Sequence, residues 1–262
     1  MVSRQIDAMS ELTNAVKVLM NNWVLAIPTA VASLIFMLIL FFTVFAAIGS
    51  VIGAGAMGGM HPGGAMAMLG GFGVLGTVLL IVAILIALVA NAAVIAASEG
   101  VWQGRPPDLS GGISRAIGKL PHLIVAAILI FLMAIIPTLL IFIVIGIFLL
   151  IALYFFMMYV FPAIMVGNEG ATSAIGASFR LAKENFGPSA IAFVGIIVAL
   201  VIGQIINTMF SHIIGLNFIV AFVVGGLTSA YAALVSVRFY DLLRGVAVPA
   251  VAAPPPLPTS NP

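Results

Sequence analysis

A chain of 262 residues that is 64% hydrophobic and only 6% charged lacks the polar side chains to cover a water-facing surface; soluble domains carry about 25% charged residues. Its solvent is therefore lipid. The formal charge of +2 is too small an excess for nucleic-acid binding, and the absence of cysteine excludes a disulfide framework, a thiolate metal site and thiol redox chemistry.

In chain order, residues 1–22 are polar by the standard of the rest. Ile6, Met9, Thr13, Val16 and Met20 form a helical stripe, with Arg4, Asp7, Glu11 and Lys17 off it, the pattern of a helix lying in the bilayer interface. The uncharged run 24–48 predicts a first span, longer than the roughly 7–15 apolar residues of a cleaved signal peptide. Residues 49–76 include eleven glycines and no charge, and glycine's conformational freedom predicts a mobile loop. A second span is expected at 75–97, with Ala83, Ala87 and Asn91 as a close-packing series. In 98–121, Ser110 is a candidate N-cap, Ile113, Ile117 and Leu120 form a stripe with Arg115 and Lys119 outside it, and Pro121 ends the short helix.

The apolar run 122–166 is long enough for two crossings. A turn at Pro137 would leave about 15 residues for the first crossing, roughly 22 Å against a 30 Å core. A turn at Gly146 gives spans 122–143 and 147–166, with Pro137 as a kink. Then comes a short helix opened by Thr172 or Ser173 and stopped by Gly187-Pro188. Its apolar stripe is Ile175, Phe179, Ala182 and Phe186, and Arg180, Lys183 and Glu184 point away. Ile175, Phe179, Arg180, Lys183 and Phe186 are the expected lipid-interface residues. The fifth span, 189–210, presents Gly195, Ala199, Gly203 and Asn207 at four-residue steps, and the sixth, 218–240, presents Gly225, Ser229, Ala233 and Ser236. Gly195, Ala199, Gly203, Gly225 and Ser229 are expected to let helix backbones approach in lipid. Residues 1–244 read as one integral membrane domain and 245–262 as a disordered proline-rich tail.

Three units share a cap-like Ser/Thr, an Ala-plus-aliphatic stripe, one or two bases and direct passage into the membrane. They start at Met9, Leu109 and Thr172. The expected fold is all-α, with six transmembrane helices as three hairpins, each preceded by a cytoplasmic interfacial amphipathic helix. All nine Lys/Arg and all seven Asp/Glu lie in 1–17, 99–119, 169–184 and 238–244, which six spans place on one side. The positive-inside rule makes that side cytoplasmic, with both termini, and Trp23 and Trp102 stand at the same boundary as candidate anchors.

Little here resembles a reaction centre. Gly53, Gly55 and Gly58 match GxGxxG without the strand and acid that motif requires, and 111–120 departs from a phosphate loop in spacing and in Leu120. The histidines on the uncharged side have no carboxylate to orient them, so a Ser-His-Asp arrangement fails. Met57, Met60, His61, Met66 and Met68 form a thioether and imidazole set suited to Cu(I). Methionine also fills apolar space, and no metal or other cofactor is expected.

The segment 113–190 resembles a broad group of prokaryotic six-helix membrane proteins, among them the membrane domain fused to glycerophosphodiester phosphodiesterases. Pro162, Glu169, Ala174, Ser178 and Leu181 fall where that group has a proline ending the fourth span, an acid, and an Ala-x-x-x-Ser-x-x-Leu helix. The resemblance implies a lipid-associated membrane module. The group's soluble catalytic barrel has no counterpart in these residues, so phosphodiesterase activity does not carry over. The function expected is non-catalytic organisation of lipid or partner proteins in a prokaryotic cytoplasmic membrane. A carrier for a lipid or other amphiphile is the alternative, and Cu(I) handling a distant one. Membrane lipids, other membrane proteins or a second copy of the chain are the expected partners, and nucleic acid is not.

Overall fold

Prolines decide where this chain bends. Pro28, Pro121 and Pro188 each stand in the first turn of a long helix, α2 (Ile27–Ala56), α5 (Leu120–Leu139) and α9 (Phe186–Met209). The missing N–H costs nothing there, because first-turn donors have no intrahelical partner. At Pro121 and Pro188 the same ring keeps the preceding short helix from running straight on. The short helices are α1 (Ala8–Asn21), α4 (Leu109–Gly118) and α8 (Ala171–Glu184), and a 3-10 turn, Trp23–Ala26, joins α1 to α2. Two of the elbows are alike: Asn22 (φ −129°, ψ 45°) and Asn185 (φ −121°, ψ 49°) each turn Nδ2 back to the carbonyl four residues earlier, Val18 at 2.9 Å and Leu181 at 3.1 Å. Pro121 and Pro188 therefore lie inside the helices that follow, and the N-caps are Asp108 and Gly170 in place of Ser110 and Thr172 or Ser173.

The computed structural model describes residues 7–56, 62–213 and 215–245, and all their regular elements are helical. Six stretches are long and apolar enough to cross a membrane: Trp23–Phe45, Gly73–Trp102, Leu120–Phe142, Ile145–Met165, Phe186–Met209 and Leu216–Leu243. The glycine-rich region corrects an expectation. Helix α2 runs on to Ala56 and α3 (Pro62–Trp102) starts well before residue 75, with Pro62 at its first position. Glycine costs a helix about 1 kcal/mol per residue relative to alanine. Extending an existing helix needs no new nucleus, however, and near lipid an unpaired backbone group costs several kcal/mol.

Between the third and fourth spans the chain turns through a 3-10 segment, Leu140–Ile143, and Val144 at φ +61°. Helix α6 (Ile145–Met157) follows, and Gly146 sits so close that a Cβ would strike Pro137 O, Leu140 C and Ile141 N. Pro137 lies inside α5, so the reversal comes after it, beside Gly146. The fourth span is itself broken. Pro162 cannot donate to Met158 and its ring crowds that carbonyl, so α6 ends at Met157 and α7 (Val160–Met165) begins after Tyr159.

Along the chain, α2 packs on α3, α5 on α6, and α9 on α10 (Leu216–Leu243), while α10 also packs on α2 and α3. The core sits at the charged end. Every residue of α10 from Ala233 to Asp241 is buried there, as is every residue of α3 from Ala92 to Ser98. The short helices seat themselves on other parts of the bundle than the spans they lead into. Helix α4 lies on α3, α8 on α5, α6 and α7, and α1 on α9 and α10.

Candidate functional site

The charged end gathers the three short helices, and each has the same cross-section. The buried residues are Ala8, Ala15 and Val18 on α1, Gly112 and Ala116 on α4, and Ala171, Ala174, Ser178 and Ala182 on α8, all small but Val18. One residue further on, about 100° around the helix, stands a row of larger apolar side chains. Met9, Val16, Ile113, Ile117 and Phe179 in that row are all exposed. Reading Ile175, Phe179, Ala182 and Phe186 as one face therefore merges two. Ala182 is buried in the seam, Ile175 is half-buried, and Phe179 and Phe186 are exposed at 45% and 61%. The two phenylalanines lean on the fourth span, Phe179 on Phe156 (4.7 Å between centroids) and Phe186 on Phe155 (5.2 Å). Arg180 and Lys183 are exposed.

Each short helix is held by a polar contact that periodicity does not reveal. Glu11 on α1 accepts two hydrogen bonds from Arg238 of α10, from Nε at 2.7 Å and Nη2 at 3.1 Å. The guanidinium lies 4.8 Å from the Trp102 ring centroid, and Trp102 donates to Leu234 O at 3.0 Å. Trp102 is only 2% exposed. It is a core residue, not the boundary anchor expected, because its N–H and its ring face both find partners inside the bundle. Lys119 closes α4 and donates to Ile164 O (2.6 Å), Met165 O (3.2 Å) and Asn168 Oδ1, capping the carbonyl end of α7. Burial, helped by the Arg115 charge and opposed by Glu99, lowers the Lys119 pKa. On α8, Ser178 mends the broken span: its Oγ donates to Phe156 O (2.6 Å) and accepts from the Tyr159 N–H (3.1 Å). The only sequence signal for these anchors was the placement of a charge or hydroxyl on the small-residue face.

The residues expected to pack helices divide. A Cβ on Gly195 would come within 2.7 Å of Leu12, and one on Gly203 within 2.8 Å of Thr228. Ala199 lines a groove of about 370 Å³ between α1, α9 and α10. Around Gly225 there is open space, and Ser229 is half-buried. The close approach on α10 belongs to Gly226, whose Cβ would meet Ala26 O at 2.7 Å and Ala30 Cβ at 2.8 Å. The face turned to α2 is thus one residue on from the series counted in the sequence. Asn91 is exposed, so it does not close the Ala83 and Ala87 series.

A second groove, of about 530 Å³, runs between α2, α3 and α4, and beside it a charged cavity of about 310 Å³ opens between α3, α4 and the loop joining them. Met57, Met60 and His61 lie outside the described residues, and Met66 and Met68 fall within α3. Among the described residues no three His, Cys, Asp or Glu side chains are placed to hold a metal ion. No known protein family, no characterised protein and no solved structure matches this chain.

Proposed function

We propose that this chain is a non-catalytic membrane protein of a prokaryotic cytoplasmic membrane that organises lipid, and through lipid its partners, with three helices seated in the cytoplasmic interface. The observation that carries this reading is the offset between the two faces of α1, α4 and α8. A small-residue seam against the bundle leaves the large apolar row pointing sideways, where a helix lying flat would meet acyl chains. Arg180 and Lys183, without ion-pair partners among the described residues, then stand at the headgroups, where each base is worth about 1 kcal/mol. In this arrangement the three short helices lead into three hairpins, and the charged end lies in the cytoplasm as the positive-inside rule requires.

Spin labels at positions 179 and 183 of the otherwise native chain test this. Position 179 should be reached by oxygen and shielded from a water-soluble relaxation agent, and position 183 the reverse. Equal water access at both sites would overturn the interfacial placement and remove the main support for lipid organisation. The two lateral grooves favour a second reading, a carrier for a lipid or other amphiphile. A carrier would move labelled lipid between vesicle leaflets, and an organiser would not.

A further inference from the structure

The groove between α1, α9 and α10, about 370 Å³, falls in the size range of ligand sites, about 300–1,000 Å³. Along α9 its lining runs from Gly195 to Ile206, eleven residues further on and roughly 16 Å away at 1.5 Å per residue. That matches the depth of one leaflet, half of a hydrocarbon core of about 30 Å. Helix α1 meets the groove at its charged-side end, with Leu12 against Gly195 and with Val16 and Leu19 as a wall.

Two hydroxyls stand in an otherwise apolar lining. Thr228 Oγ1 is satisfied within its own helix, donating to Val224 O at 2.9 Å. Tyr231 is the lining residue of α10 nearest the charged end. It is 8% exposed, and its hydroxyl makes no hydrogen bond among the described residues. The other two buried tyrosines are paired: Tyr159 donates to Ser189 Oγ at 3.1 Å, and Tyr240 accepts from Arg244 at 3.0 Å. A buried phenol ordinarily finds a partner, so the acceptor for Tyr231 comes from outside the chain. Nor does the groove suit a second helix. Small residues at four-residue spacing admit a neighbouring backbone in lipid, but Leu12 already covers Gly195 and Thr228 covers Gly203, with Ala199 lining the gap between them.

We propose that this groove seats one acyl chain of an ester-linked phospholipid from the leaflet at the charged end. The ester carbonyl accepts a hydrogen bond from the Tyr231 hydroxyl, and the headgroup stays outside. The proposal rests on the membrane-interface reading above and adds a defined ligand to it.

Native mass spectrometry of the detergent-purified full chain tests the assignment with two phosphatidylcholines. One is ester-linked; the other is ether-linked, equal in headgroup and chain length but lacking the carbonyls. The native chain should retain one ester-linked lipid about fivefold more tightly than its ether-linked counterpart, the worth of one neutral hydrogen bond. Tyr231→Phe should weaken the ester adduct by that factor and leave the ether adduct unchanged, abolishing the preference. Ala199→Leu should weaken both adducts by filling the gap; if it fails to fold, Tyr231→Phe decides. Val31→Trp, in the groove between α2, α3 and α4, should leave the ester preference intact. Equal retention of the two lipids by the native chain, a preference that survives Tyr231→Phe, or no one-to-one adduct would each overturn the site. A lipid-free dimer broken by Ala199→Leu would give the groove to a second copy and overturn it too. Absence of the adduct with position 179 still in lipid would remove this site alone. A Tyr231-dependent preference with position 179 in water would support the site and remove the interfacial reading of α8 instead.

Discussion

Ser178 shows how much one hydroxyl can decide. In sequence it is a small residue on a short helix; in the fold it stands against the Pro162 break and supplies the acceptor that the Tyr159 N–H lacks. A buried donor left without an acceptor costs about 1–3 kcal/mol. Ser178→Ala should therefore lower stability by about that much. It should also speed hydrogen exchange at the Tyr159 amide more than at amides in the middle of α9. Unchanged exchange at Tyr159 would mean that another group satisfies this amide. Val144 shows the opposite case: a β-branched residue held at φ +61° because the turn must close there, two residues before Gly146, which has no room for a side chain.

At the scale of the element, the docking of α1 turns on one ion pair. Arg238 is 5% exposed, and its Nη1 has no partner, so Glu11 is its main compensation. Removing one member of a buried pair costs about 3–5 kcal/mol, whereas replacing both with apolar residues is often neutral. Glu11→Ala should destabilise the protein in detergent by about that amount and loosen α1 from α9 and α10. The double variant Glu11→Leu with Arg238→Met should recover most of the loss. A single variant within about 1 kcal/mol of the native protein would place the pair with solvent-screened surface ion pairs. The three elbows belong to this scale too. Pro121 and Pro188, which stop the short helices before them, also open the long ones, while α1 reaches α2 and its Pro28 through a 3-10 turn.

For the whole molecule, the asymmetry between a tightly packed charged end and an apolar remainder is the dominant feature. It sets the topology under which the proposed function operates. The absence of native cysteine makes that topology directly measurable. Gln103→Cys and Ser173→Cys, both at exposed positions of the charged end, should react with an impermeant thiol reagent only after permeabilisation. Ser211→Cys, exposed in the uncharged turn between α9 and α10, should react in intact cells. Labelling of Ser173→Cys from outside would reverse the orientation and take the three short helices out of the cytoplasm proposed for them.

Composition and hydropathy by themselves determined the all-helical class and the six candidate spans, because length in lipid and the exclusion of charge are local properties. The turn beside Gly146 was legible for the same reason: only one division of residues 122–166 yields two spans of adequate length. Tertiary structure alone decided which face of each short helix meets the bundle. Small and large apolar residues are equally hydrophobic signals in a periodicity, yet a backbone in close contact admits only Ala174 or Gly112 and turns Phe179 and Ile113 outward. It also decided that Gly226 rather than Gly225 meets α2, that Trp102 is core, and that Arg238 finds Glu11 more than two hundred residues away. Those choices depend on partners that the chain brings together only once it is folded.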